Sequence, residues 1–343
     1  MRNNSRWVSP ESAGQSCGAH SSQFCVGGIS VEIAGAQSGD VRLVSGLEAF
    51  RQNSGSFDLR LQVEWVTRLA SKRGPRLFDS GTTWRLYREG DGYGFDFTAP
   101  LFGRAPYKRL LVDSCFRHGV VQMSQKSLVG EEQVPSPLGY PLDELLIMHR
   151  LTQEKAIELH GCGIVRADGV GNLFVGHSGA GKSTTTRLWT DREDVEVLSD
   201  DRIIVRRDEN HSAPDDRAQE QGPGCARDDK DFAEKGRAFA SKEKKMRMYG
   251  TPWHGEAMYA SPGSALLARI FILEHGRGNV LTSLSPSQAV AELFARSFVP
   301  FHRHEYVASA LEFLQEVVDT VPVYRYAFEP DQRAVDTILN FHE

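Results

Sequence analysis

Several features that would place this chain in a specialised class of proteins are missing from its sequence. No apolar run approaches the roughly 20 residues of a membrane-spanning helix, and the first twenty residues contain no apolar segment of the signal-peptide type. The five cysteines are scattered over 343 residues without a C-x-x-C pair, which argues against a disulfide framework and a zinc site. We therefore expect a protein without a membrane span, located in the reducing cytoplasm.

Dense basic tracts are also absent. The net charge is −5, and no predicted helix carries a run of Lys and Arg, so we expect no nucleic-acid partner. A hydrophobic content of 40% and a charged content of 25% are typical of a globular protein, and the length suggests two domains or one large one. The sequence leaves the oligomeric state open, a homo-oligomer included.

The amino-terminal third of the chain has recurrent strand patterns and little helical periodicity. Residues 59–65 alternate between apolar and polar, and residues 84–88 and 95–97 flank a glycine-rich turn typical of a hairpin. We predict a disordered tail over residues 1–22 and a mainly β domain over residues 23–134. Nothing in this domain indicates a ligand.

Residues 138–343 are predicted to form an α/β domain with a mixed sheet. A helix is expected over residues 141–153, followed by strands at 156–165 and 172–175. The turn between these strands is so short that they must be antiparallel, because a parallel pair needs a crossover of about a dozen residues or more. Residues 206–245 contain no Val, Ile or Leu and are predicted to be a polar, disordered insertion.

The second of these strands leads directly into residues 176–183, which fit the phosphate-binding pattern G-x-x-x-x-G-K-[ST] and precede a helix-compatible segment. Glycines let backbone N–H groups turn towards phosphate oxygens, and the positive end of the helix faces the same anion. Lys182 is expected to reach the β- and γ-phosphates and Ser183 to ligate Mg²⁺. The predicted nucleotide contacts are Gly176, Ser178, Gly179, Ala180, Gly181, Lys182, Ser183 and Thr184.

Two adjacent carboxylates, Asp200 and Asp201, end the next predicted strand. We expect Asp200 to help position Mg²⁺ and Asp201 to accept the proton of an attacking hydroxyl, although the sequence leaves open which of the two has which role. His160 lies on the strand that pairs with the one entering the loop, so it can lie near the nucleotide. A lone histidine on a strand is more often structural, and that alternative stays open.

A loop at residues 249–256 is the candidate acceptor site, because exposed loops rarely keep aromatic, histidine and acidic side chains together for packing alone. The residues concerned are Tyr249, Trp253, His254 and Glu256. His302 and His304 have a strand-like spacing, but no acidic or cysteine partner stands in register to complete a metal site.

Three segments resemble HPr kinase/phosphorylase and the wider phosphoenolpyruvate-carboxykinase-like P-loop fold: residues 159–161 (Leu-His-Gly), residues 176–183, and residues 198–202 (Leu-Ser-Asp-Asp-Arg). The resemblance implies a P-loop kinase domain whose sheet has an antiparallel hairpin leading into the loop. It also implies three catalytic residues, which at the matching positions here are His160, Lys182 and Asp201. The Mg²⁺ ligand that it implies is Ser183.

This sequence departs from that family at one metal-binding position. The family has a glutamate in the region that matches residues 247–250 (Arg-Met-Tyr-Gly), which contain no acid, and Glu256 is a candidate substitute. The family's phosphorylase-associated motif is not visible. We therefore expect an ATP- and Mg²⁺-dependent kinase that is related to HPr kinase but uses another acceptor hydroxyl.

The acceptor is most simply a serine of a protein or peptide, and a small hydroxylated molecule is the next choice. A nucleotide-sensing module with little turnover is the alternative from another class. A GTPase is disfavoured because no N/T-K-x-D motif is present.

Overall fold

The computed structural model describes residues 20–53, 55–69, 73–127, 135–191, 195–208 and 245–341. These residues form a mixed α/β protein with two large mixed sheets and few helices. Residues 1–19 of the predicted tail lie outside the described residues. The same is true of residues 209–244 of the predicted insertion.

The first sheet is built by residues 20–124. This part of the described chain has only one short α-helix, α1 (Ser45–Glu48), and two 3-10 turns, at Ser38–Val41 and Pro100–Phe102; a third 3-10 turn, Gln125–Ser127, follows the last strand. Its strands are β1 (His20–Val26), β2 (Ile29–Gly35), β3 (Arg51–Gln52), β4 (Leu59–Val66), β5 (Arg76–Asp79), β6 (Trp84–Glu89), β7 (Gly92–Phe97), β8 (Lys108–Val112) and β9 (His118–Ser124). Their order is β3-β1-β2-β4-β9-β8-β7-β6-β5, with β4 parallel to β2 and β9. The expected β character is present, but β1 starts at His20, so residues 20–22 belong to a strand and not to the predicted tail.

Alternation along the strands gives this sheet one apolar and one polar face. A cross-strand row of four buried apolar side chains packs on the core side: Leu86, Phe95, Leu110 and Val121. The neighbouring row on the other face is polar: Arg85, Asp96, Arg109 and Gln122. The apolar face shares its core with the first helix of the second unit.

The second unit begins with that helix, α2 (Leu142–Leu151), and ends with α6 (Gln332–Leu339). Between them the chain forms β10 (Ala156–Arg166), β11 (Val170–Val175), α3 (Lys182–Thr190), β12 (Val195–Ser199), β13 (Arg202–Arg207), β14 (Met246–Tyr249), β15 (Ser264–His275), β16 (Val280–Ser283), α4 (Pro286–Phe294), β17 (Ser297–Phe298), α5 (His304–Thr320) and β18 (Val323–Phe328). The main strand order is β11-β10-β13-β14-β15-β18-β16, and β12 and β17 both pair with β10. Because β13 continues through Arg207, the insertion starts later than residue 206, where the sequence placed it.

The short turn makes β10 and β11 an antiparallel hairpin, as the sequence predicts. Strand β11 is parallel to β15, which is parallel to β18, so the carboxyl ends of these three strands meet at one edge of the sheet. Helices α4 and α5 pack on one face of the sheet, and α3 and α6 pack on the other. In open α/β sheets the carboxyl ends of parallel strands are where ligands bind.

Candidate active site

The glycine-rich loop occupies this carboxyl edge. Strand β11 is buried up to its last residue, and the chain then turns through residues 176–181 into α3. Gly179 and Gly181 have φ angles of +81° and +104°, which side chains rarely adopt, and a Cβ on Gly181 would lie 2.6 Å from the Phe328 ring. The loop can therefore close only with glycine at these positions.

The start of α3 provides the positive end of a helix, whose first N–H groups have no acceptor within the helix. Ser183 and Thr184 lie on this first turn and are partly exposed, and Ser178 and Gly179 on the loop are exposed. A Cβ added to Gly179 would have no atom within 4 Å, so the loop is open on that side. The predicted phosphate-binding residues thus surround one accessible surface at the end of β11.

Lys182 folds back over the loop. Its ammonium group donates hydrogen bonds of 2.9 Å and 3.1 Å to the carbonyl oxygens of Gly176 and His177, and the residue is only 7% exposed. Burial lowers the pKa of Lys182, and the nearby negative charge of Asp201 partly offsets that effect. Among the described residues no carboxylate forms a salt bridge with this ammonium group. An anion can therefore replace the two carbonyl partners without displacing a charged group.

His160 lies on β10 beside the loop, held through its backbone. Its N–H donates to the carbonyl oxygen of Arg296 over 2.8 Å, and its carbonyl oxygen accepts from Gly176 N–H over 3.2 Å. The side chain makes a hydrogen bond of 2.9 Å between Nε2 and Oδ1 of Asp201. The structure thus brings together the histidine, the second aspartate and the first glycine of the loop, which are far apart in sequence.

The carboxylate of Asp201 has side-chain partners on two sides, His160 and Arg202. Its second carboxylate oxygen contacts the guanidinium group of Arg202, and its side chain keeps 24% exposure. Burial raises the pKa of Asp201, but the His160 hydrogen bond and the charge of Arg202 outweigh it and lower the pKa below its ordinary value. Asp201 is therefore ionised at neutral pH, and its side chain remains partly accessible.

Asp200 has a different environment from its neighbour. It is 2% exposed, and its two carboxylate oxygens accept backbone N–H groups of Gly255 at 2.9 Å and Ala257 at 2.8 Å. A Cβ on Gly255 would lie 3.0 Å from the same carboxylate, so the approach is close and a larger residue would have to push the carboxylate aside. We expected Asp200 to help position Mg²⁺; in the structure its visible role is to anchor the loop that follows β14.

The four residues predicted to line the acceptor site lie on this loop and at the end of β14, and they differ in exposure. Trp253 is buried and donates from Nε1 to Oδ2 of Asp143 on α2 over 2.9 Å. His254 and Glu256 are exposed, and Tyr249 lies partly buried at the end of β14. Trp253 therefore holds the loop in place, while His254 and Glu256 are available to a ligand.

The first sheet places a buried lysine near Asp143, the carboxylate that accepts from Trp253. Lys108 on β8 is fully buried, and its ammonium group donates to the carbonyl oxygen of Gly139 over 3.0 Å. Burial lowers the pKa of Lys108 to about 7, although the charge of Asp143 opposes the shift. Burial likewise raises the pKa of Asp143 to about 6. The anchor of Trp253 is thus shared between the two units of the molecule.

Sequence reasoning missed the carboxylates around Arg202. Its Nε donates to Glu144 over 3.0 Å and lies 3.4 Å from Glu158, and its guanidinium carbon stands 4.1 Å from the centre of the Phe298 ring. Glu158 is fully buried, and burial together with Glu144 raises its pKa well above the ordinary value. One signal was present, since Glu158 and His160 are two residues apart on a strand and so share a face.

No protein-family model matches the sequence, and no curated protein is significantly similar to it. Within the described part of the chain, no helix is both long enough and apolar enough to cross a membrane. The same residues contain no group of three or more His, Cys, Asp or Glu side chains placed to hold a metal, so the histidines at 302 and 304 form no such cluster.

Proposed function

We propose that this protein is an ATP- and Mg²⁺-dependent kinase related to HPr kinase, with a P-loop kinase domain over residues 138–343. The observation that carries the proposal is the position of Asp201: an accessible, ionised carboxylate, hydrogen-bonded to His160, beside the loop that holds Lys182. A phosphate-binding loop alone supports only nucleotide binding. A placed base next to it supports transfer to an alcohol.

The residues present fit a magnesium nucleotide. The loop is open at Gly179, the Lys182 ammonium group has only neutral partners, and Ser183 stands at the start of α3. Mg²⁺ commonly keeps several waters and takes one or two protein ligands in addition to substrate phosphates, so a dedicated cluster of carboxylates is not required. Ser183 would be the direct protein ligand, and Asp200 would contribute through the carboxylate lone pairs that its two amide donors leave free.

In the proposed reaction the acceptor oxygen attacks the γ-phosphorus while the bond to the β,γ-bridging oxygen breaks, and ADP leaves. Asp201 takes the proton of the acceptor hydroxyl, and His160 keeps its carboxylate oriented. Lys182 and the loop N–H groups stabilise the charge that develops on the phosphoryl oxygens. The acceptor is a hydroxyl group: a serine of a protein or peptide is the first choice, and a small molecule is the second. The exposed side chains of His254 and Glu256 on the anchored loop are its proposed contacts.

A nucleotide-sensing module with little turnover is the second candidate. It is favoured by two observations. Both oxygens of Asp200 already accept hydrogen bonds from loop amides, and residues 247–250 contain no acid in place of the family's glutamate. Such a protein would bind the nucleotide and signal through the loop without transferring phosphate.

Incubation of the purified protein with γ-labelled ATP, Mg²⁺ and a cell extract tests these candidates, with Lys182→Ala as control. We expect label on one protein or metabolite with the wild type only. Nucleotide binding by calorimetry without any label above the control would instead support the sensing module. Absence of both binding and label would contradict the two together.

A further inference from the structure

The polar face of the first sheet has a groove of 750 Å³ that lies apart from the candidate active site. Five of the residues that line it are basic and one is acidic: Arg68, Arg73, Arg76, Arg85 and Lys126, with Asp96. Its walls also include aromatic side chains at Tyr87, Phe102 and Tyr107. The whole chain has a net charge of −5, so this concentration of positive charge is a local property of the groove.

Part of that charge has no internal partner. Arg76 and Arg85 share the single carboxylate of Asp79, at 2.9 Å and 3.0 Å. The exposed side chains of Arg68 and Lys126 contact no carboxylate in the described part of the chain. The groove therefore offers more positive charge than its own acids neutralise, and it does so on accessible side chains.

The positive charges that the groove's acids do not fully neutralise stand at its two ends. Arg68 and Lys126 follow directly after β4 and β9, whereas Arg76 and Arg85 lie on β5 and β6. Strands β8 and β7 separate the two pairs, so three strand spacings, or roughly 14 Å, lie between β9 and β6. One phosphate or carboxylate group cannot reach both ends. An extended peptide rises about 3.3 Å per residue, so four or five residues cover the distance.

The floor between the two ends selects against a nucleic-acid strand. Asp96 lies in the middle of the lining, 2.6 Å from Arg73 and 3.3 Å from Arg109. Asp96 and Glu89 together balance these two arginines, so a nucleic-acid backbone, which carries a negative charge at every residue, would meet no uncompensated positive charge over this stretch. A peptide can place an uncharged residue there and pack it against the aromatic walls.

We propose that this groove binds an extended acidic segment of a partner protein, with acidic side chains at both ends of the bound stretch and an uncharged residue between them. Clusters of arginine are a recurrent means of recognising acidic motifs in peptides. The binding site is independent of phosphate transfer and holds whether or not the protein is a kinase.

Fluorescence anisotropy with two labelled peptides of equal composition tests the proposal. The first has the sequence Glu-Glu-Ala-Leu-Ala-Glu-Glu, and the second places its four glutamates in one block. We expect the first peptide to bind more tightly, and both Arg68→Glu/Lys126→Glu and Arg76→Glu/Arg85→Glu to weaken its binding about tenfold or more at moderate salt. The control Arg42→Glu/Arg117→Glu has the same change in net charge on exposed arginines outside the groove and should bind as the wild type does.

Circular dichroism of each variant confirms that the sheet is intact, and either groove variant alone suffices for the test. Equal binding of the two peptides, equal loss in the control variant, or no binding by the wild type would overturn the proposal. The proposal would also be overturned if a single-stranded oligothymidine bound more tightly than the peptide and lost affinity in the groove variants. That result would assign the groove to nucleic acid.

Discussion

The two sheets of this molecule use charged side chains in different ways. In the first sheet, charges stand on a strand face and pair with each other, as Arg109 does with Asp96 and Glu89. In the candidate site of the second unit, two charged groups pair with the backbone instead: Lys182 donates to two carbonyls, and Asp200 accepts from two amides. Neutral backbone partners leave the charge of a side chain uncompensated. This contrast is the reason that we place the proposed phosphate transfer in the second unit, next to the uncompensated charge of Lys182.

The strongest test of this contrast is Asp201→Asn. The amide cannot accept the acceptor proton, so we expect turnover to fall by about 10²–10⁴-fold. Nucleotide affinity, measured by calorimetry, should change little because the loop and Lys182 are untouched. Asp168→Asn, an exposed aspartate on the β10–β11 turn, is the matched control and should keep wild-type turnover. Normal turnover of Asp201→Asn would exclude Asp201 as the base.

Lys182→Ala should have the next largest effect. Loss of the ammonium group removes charge stabilisation from the transferring phosphoryl group, and we expect turnover to fall by about 10²–10³-fold. Lys182→Arg keeps the charge but not the compact geometry, so it should recover binding of the nucleotide more than turnover. If single-turnover measurements gave equal rates for Lys182→Ala and wild type, the loop would not take part in transfer.

Substitution of one tryptophan in each unit allows a direct comparison of the two units. Trp253 donates to Asp143 over 2.9 Å beside the candidate site, and Trp65 donates to Asp40 over 2.7 Å in the first sheet. Replacement of either by Phe leaves a buried carboxylate without its donor and should cost about 1–3 kcal/mol of unfolding free energy. Only Trp253→Phe should also lower turnover, by up to about 10²-fold, because it loosens the loop that Asp200 anchors. Equal activity of the two variants would show that the loop has no role in the reaction.

The buried lysine of the first sheet predicts a pH dependence of stability. The pKa of Lys108 falls from 10.5 to about 7 on folding, so between these values the unfolded chain binds a proton that the folded chain does not. The contribution of this group to the unfolding free energy therefore rises with pH over that window. Lys108→Met should flatten the rise, which urea unfolding at several pH values measures. An unchanged slope would mean that Lys108 keeps its proton in the folded protein.

The smallest effect is expected at Glu256, which is exposed on the anchored loop. Glu256→Ala should change the unfolding free energy by no more than about 0.5 kcal/mol. If the loop contacts the acceptor, the Michaelis constant for the acceptor should change while that for ATP does not. A change in the constant for ATP instead would move Glu256 to the nucleotide side of the site, as a substitute for the family's glutamate.

Sequence patterns predicted α2, β10 and β11 closely because each pattern has a local cause. The short turn after β10, for example, forces an antiparallel hairpin. The two-residue strand β17 was missed, because it is defined only by its pairing with β10 and not by any alternation of its own.

By itself the sequence predicted the glycine-rich loop of residues 176–183, since the glycines at 179 and 181 have backbone angles that other residues rarely adopt. It also supplied two adjacent aspartates at a strand end. Only the tertiary structure decided that they differ: Asp200 meets the amides of a loop about 55 residues further on, and Asp201 meets His160, 41 residues before it. Partners so far apart produce no periodic pattern in the sequence, because side-chain contacts between distant segments depend on how strands pair and not on local spacing.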